Sequence, residues 1–100
     1  MRHNILAAAL LGAFLAACGP PPRGVAYVRV APPRGVVEVI ATTPGEGYVW
    51  IPGYHAWRGS EYVWVAGHWE RPPQSHFRHW VPGHWKESRN GWYWVEGRWK

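Results

Sequence analysis

Aspartate is missing from this chain altogether: of its 100 residues six are acidic, and all six are Glu. Hydrolysis requires a nucleophile beside a base, or a pair of carboxylates. Ser60, Ser75 and Ser88 fall in turn-forming stretches, and Glu61, Glu70, Glu87 and Glu96 read as rim charges, so no enzyme is expected. Cysteine occurs once, at Cys18, which excludes an intramolecular disulfide. Lys and Arg number 11, for a net charge of +5, or +4 once Arg2 leaves with the leader described below. No run of them occurs, so the charge reads as a solvated rim, and nucleic acid is not an expected partner. The length allows at most one small domain.

Long apolar stretches are equally scarce. The one present, "ILAAALLGAFLAA" at 5–17, is thirteen residues behind a positive start. A bilayer-spanning helix needs ~20 residues, whereas a secretory signal core needs ~7–15. The run ends "LAAC" at Leu15–Cys18, which resembles the bacterial lipobox cut by the lipoprotein signal peptidase. The resemblance implies a signal peptide over 1–17 and diacylglycerol, with its palmitate-type chains, on the Cys18 sulfur. A third acyl chain would sit on the new amino terminus, so the lipid is covalent and no cofactor is expected. Gly19 after the cysteine resembles lipoproteins sorted to the outer membrane, facing the periplasm. Each buried methylene contributes about 0.8 kcal/mol, so several chains make a stable membrane anchor. The competing reading is an ordinary signal with an incidental cysteine, or an uncleaved anchor.

Residues 18–44 form a proline-rich tether, with "GPPPRG" after the cysteine and "APPRG" at Ala31–Gly35. Proline favours an extended, semi-rigid chain. Between and after these motifs lie "VAYVRV" and "VVEVI", short alternations that read either as strands or as extended stalk.

What the chain has in quantity is tryptophan. All nine Trp lie between Trp50 and Trp99, and one line is written four times over residues 45–100: "YVWIPGYHAW", "YVWVAGHWER", "RHWVPGHWKE" and "WYWVEGRWK". The first Trp of each copy is Trp50, Trp64, Trp80 or Trp94, the glycine is Gly53, Gly67, Gly83 or Gly97, and the last slot holds His55, Trp69, Trp85 or Trp99. Aromatic and β-branched runs bounded by turn formers predict strands. Gly59-Ser60 suits a type II′ turn closed by the opposite charges of Arg58 and Glu61. Facing residues in an antiparallel hairpin have positions of constant sum. Turns centred on 59–60, 74–75 and 89–90 give sums of 119, 149 and 179. The first sum pairs Trp50 with Trp69, His55 with Trp64 and Trp57 with Tyr62. The second pairs Trp64 with Trp85 and Trp69 with Trp80. The third pairs Trp80 with Trp99 and Trp85 with Trp94.

The expected fold is therefore all-β, a small antiparallel meander of four Trp-rich strands, with one or two N-terminal strands as a possible extension. Trp50, Trp69, Trp80 and Trp99 would form one ladder, and His55, Trp64, Trp85 and Trp94 a second on the opposite face. The glycine between the two slots lets a neighbouring indole lie on the strand, or permits a bulge that would bring both ladders to one face.

Trp-x-x-Gly-x-Trp repeats behind a lipobox and a Pro-rich stretch resemble the YXWGXW-repeat family of bacterial exported proteins and lipoproteins. The resemblance covers about Tyr48–Lys100, with His55 in place of the last Trp of copy one and Arg78 in place of the aromatic lead of copy three. It implies repeat architecture and an envelope location, and no activity.

Two roles follow as expectations. The first is a non-catalytic structural or protein-interaction module, including self-association. The second is glycan binding, to peptidoglycan or lipopolysaccharide sugar, on an aromatic surface of Trp57, Tyr62, Trp64, Trp85, Trp92 and Trp94. A metal site is not expected. His68 and His84 fall on opposite faces, His55 and His68 stand ~13 Å apart along the strands, and His76 and His79 lack an obvious third ligand.

Overall fold

The computed structural model describes residues 20–100; the signal segment and Cys18 lie outside the described residues. The described chain contains eight short strands and no helix: β1 Val49–Ile51, β2 Tyr54–Trp57, β3 Tyr62–Val65, β4 His68–Glu70, β5 Trp80–Val81, β6 His84–Ser88, β7 Gly91–Val95 and β8 Arg98–Trp99. All pairing is antiparallel, β1 with β4, β2 with β3, β5 with β8 and β6 with β7. These are two long hairpins, each interrupted halfway, and the fold is all-β built of small antiparallel sheets.

Within each hairpin the register is the one the turns dictate. Trp50 pairs with Trp69, His55 with Trp64 and Trp57 with Tyr62. In the second hairpin Trp80 pairs with Trp99 and Trp85 with Trp94. The first turn carries its positive φ on Gly59, at 83°, as type II′ geometry requires, and no non-glycine residue among those described has one. It is closed by the backbone, Arg58 N donating to Glu61 O at 2.9 Å, and not by an ion pair between those two side chains. In the second turn the positive φ falls on Gly91, at 126°, and a Cβ there would meet Val28 O at 2.7 Å.

The middle hairpin does not form. No ladder joins Trp64 to Trp85 or Trp69 to Trp80; the two hairpins meet instead through side chains. The link between them turns at Gln74–Phe77, where Phe77 N donates to Gln74 O at 3.1 Å. Pro72 and Pro73 deprive the adjoining edge of two N–H donors, which a central ladder would need. Beyond β5, Arg78 and His79 bond instead to Lys100, extending the pairing with β8. The hairpins contact through Tyr54 stacked on Trp94 (4.8 Å, 26°), Tyr62 edge-on to Trp85 (5.3 Å), and the Trp85 indole N–H donating to His55 O at 2.7 Å.

Among the described residues, the segment ahead of the repeats adds no strand pair. It crosses both hairpins as an extended strap with a single bridge, Val28 to Trp92, made in both directions at 2.8 and 2.7 Å. Further along, the Tyr62 hydroxyl donates to Val30 O at 2.5 Å and the Trp69 indole N–H to Ala41 O at 2.8 Å. Val28, Ile51 and Ala56 are the buried apolar residues among those described. All nine Trp are half-buried.

Candidate functional site

The glycines of the repeat explain its spelling. A Cβ on Gly67 would stand 2.5 Å from Cζ2 of Trp50, and one on Gly53 2.5 Å from Cζ2 of Trp64. In the second hairpin Trp80 lies against Gly97, and Trp94 against Gly83, in the same way. Each leading Trp thus lies across the glycine of the copy paired with its own. The last-slot residue then packs edge-on to it: Trp69 to Trp50 at 5.4 Å, His55 to Trp64 at 4.9 Å, Trp99 to Trp80 at 5.2 Å, Trp85 to Trp94 at 5.5 Å.

This corrects the expectation of two ladders on opposite faces. Oε1 of Glu38 lies 2.9 Å from the Cβ position of Gly53 and 2.8 Å from that of Gly67. The Trp50 and Trp64 indoles reach those same two positions, so both close around one carboxylate, on one face. The cause is the break at Pro52-Gly53, opposite the break at Ala66-Gly67. Because both strands leave the ladder at the same level, the sum of 119 survives while strict alternation does not.

The break also frees the glycine amides. Gly53 N donates to Glu38 Oε1 at 2.8 Å and Gly67 N to Glu38 Oε2 at 2.7 Å. Hydrogen bonds to an ionised acceptor are short and roughly twice as strong as neutral ones. Glu38 is half-buried, while its neighbours Val37 and Val39 are 97% and 94% exposed. The strap therefore turns its charge inward and its valines outward. Sequence reasoning missed this residue; its signal was an acid standing alone within "VVEVI".

Beside the clamp, an open cleft of about 700 Å³ has Trp57, Trp80, Trp85 and Trp94 among its walls, with Gly83 and Gly97. The structure draws three of the six expected aromatic residues, Trp57, Trp85 and Trp94, to this cleft, and adds Trp80. Tyr62 packs edge-on to both Trp57 and Trp85. Trp64 is spent on Gly53 and His55, and the Trp92 backbone on Val28. Burial raises the Tyr62 phenol above its ordinary value. Of the histidines, His55 packs on Trp64, His76 on Phe77 at 4.2 Å, and His68 Nε2 lies 3.4 Å from Glu70. Among the described residues no three His, Cys, Asp or Glu cluster.

Paired strands held by indoles lying on glycines define a Trp-repeat β-hairpin protein. The WXXGXW repeat family matches the chain in two copies, residues 45–70 and 79–100, so the chain carries two WXXGXW repeats. Each family copy is one hairpin, that is, two of the four lines read in the sequence. No curated protein and no solved structure matches the chain.

Proposed function

We propose that the chain is a bacterial envelope lipoprotein, anchored through lipid on Cys18, whose repeat module works without catalysis as a holder of protein segments. The observation that carries this reading is the Glu38 clamp: two repeat glycines and their indoles grip an extended peptide through its carboxylate and backbone. A module that binds a segment of its own chain in this way has the chemistry to bind others. The "LAAC" lipobox supports the address, outer membrane facing the periplasm. Glycan binding is the second reading, and it rests on the indole-walled cleft in place of a spare aromatic face.

Two experiments test these readings in cells. Cys18→Ser should abolish acyl labelling and release the chain from membranes; unchanged membrane association would sink the anchor. A photo-reactive phenylalanine analogue at Trp57, on the cleft wall, should give discrete protein adducts. Adducts to peptidoglycan or lipopolysaccharide alone would transfer the reading to glycan, and the absence of any adduct would end both.

A further inference from the structure

The two hairpins are copies thirty positions apart: Trp50, Gly53, Trp64, Gly67 and Trp69 correspond to Trp80, Gly83, Trp94, Gly97 and Trp99. Their geometry repeats as well as their spelling. Trp80 and Trp94 lie across Gly97 and Gly83, and the two glycine amides face each other, each N 2.9 Å from the other residue's Cβ position. In the first hairpin the equivalent amides hold the Glu38 carboxylate. No side chain among the described residues accepts from Gly83 N or Gly97 N. Both glycines line the 700 Å³ cleft, as Gly53 of the first clamp also does. We infer that Gly83 N and Gly97 N, between Trp80 and Trp94, form a second carboxylate clamp that binds an acidic residue of an extended peptide from another molecule. This rests on the interaction reading above and names the class of partner.

Two observations point to a peptide carboxylate from outside. The first is the template itself. Three residues after Glu38, Ala41 O accepts from the Trp69 indole N–H, so the clamp reads a carboxylate and a backbone carbonyl at fixed spacing. Trp99, the counterpart of Trp69, donates its indole N–H to no described residue. The second is stoichiometry. One Glu38 serves one clamp and is already held by its own hairpin, so a second copy of the chain has no free Glu38 to offer.

The test uses the ¹⁵N-labelled full chain in detergent micelles and the blocked peptide Val-Val-Glu-Val-Ile-Ala. A carboxylate acceptor should move the amide protons of Gly83 and Gly97 downfield, toward those of Gly53 and Gly67, which serve as internal reference. The same peptide with Gln for Glu should bind at least about tenfold more weakly, and binding should weaken with salt. Trp99→Phe, which keeps a ring but removes the donor, should weaken it severalfold while leaving Gly53 and Gly67 unmoved. Equal binding of the Gln peptide, shifts confined to Gly53 and Gly67, or no shift at all would overturn the inference. Acetate matching the peptide in affinity would overturn the peptide as the ligand. Sedimentation showing that the chain pairs with itself through these amides would overturn the external partner. Protein adducts at Trp57 in cells, with no peptide effect here, would leave the interaction reading standing and remove only this site.

Discussion

Trp50 lies across Gly67, its Cζ2 atom 2.5 Å from the point where a Cβ would stand. A methyl group there must push the indole off the strand, and the indole is also held edge-on by Trp69. Gly67→Ala is therefore expected to cost about 1–3 kcal/mol, the usual range for overpacking a well-fitted site. Gly45→Ala, where the added Cβ meets open space, is the control and should leave the melting temperature nearly unchanged. Neither glycine has a positive φ, so equal effects of the two substitutions would show that the Trp50 indole does not need the space over Gly67.

The hairpin pairing has its own test, in a Cys18→Ser background. Trp50→Cys with Trp69→Cys should crosslink on mild oxidation, and so should Trp85→Cys with Trp94→Cys, since both are facing pairs. Facing positions bring Cβ atoms within reach of the ~3.5–4.5 Å a disulfide accepts. Trp64→Cys with Trp85→Cys should not crosslink, because no ladder joins β3 to β6. Efficient crosslinking at 64 and 85 would restore the continuous meander.

These pairs mark what could be read in the sequence and what could not. The sums 119 and 179 were legible because a two-residue turn sets register by local chemistry: Gly59 supplies the positive φ, and Arg89-Asn90 leads into Gly91. The sum 149 failed because Gln74-Ser75 directly follows Pro72-Pro73, where turn chemistry does not imply a ladder. Six aromatic residues were expected to share a surface; Trp57, Trp85 and Trp94 do line one cleft, since aromatic enrichment signals contact area. Trp64 and Trp92 went elsewhere, for period-2 alternation cannot foresee a break at the same level in both strands. Glu38 was illegible for a different reason. Its partners lie 15 and 29 residues away, and their amides become donors only after that break forms.

Alkaline pH should loosen the strap at a named point. The Tyr62 hydroxyl donates to Val30 O, and burial raises its pKa above the ordinary 10.0. The unfolded phenol ionises near that ordinary value, the folded one at higher pH. The stabilising contribution is thus intact below about pH 10 and is lost as pH climbs through the folded pKa. Thermal melts between about pH 8 and pH 11.5 should fall more steeply for the wild type than for Tyr62→Phe. Parallel curves would mean that this phenol does not titrate with folding.

The carboxylate of Glu38 is expected to hold the strap on the first hairpin. Removing it in Glu38→Ala leaves two half-buried amides without their acceptor, at a cost of about 1–3 kcal/mol for each group left unmet, less whatever water restores. Glu38→Gln is the sharper variant, because it keeps the shape. Its amide offers one oxygen to two donors and turns an N–H toward the other, so it should recover little of the loss. Global stability alone would not separate this from general damage, so the reading is local. Gly53 and Gly67 amide protons should move upfield and exchange faster in both variants, and the Trp69 indole proton, bound to Ala41 O, should follow them. Gly83 and Gly97 should stay where they are. If Glu38→Gln leaves the first pair of amides unchanged, water or the backbone holds them, and the clamp is not what fastens the strap.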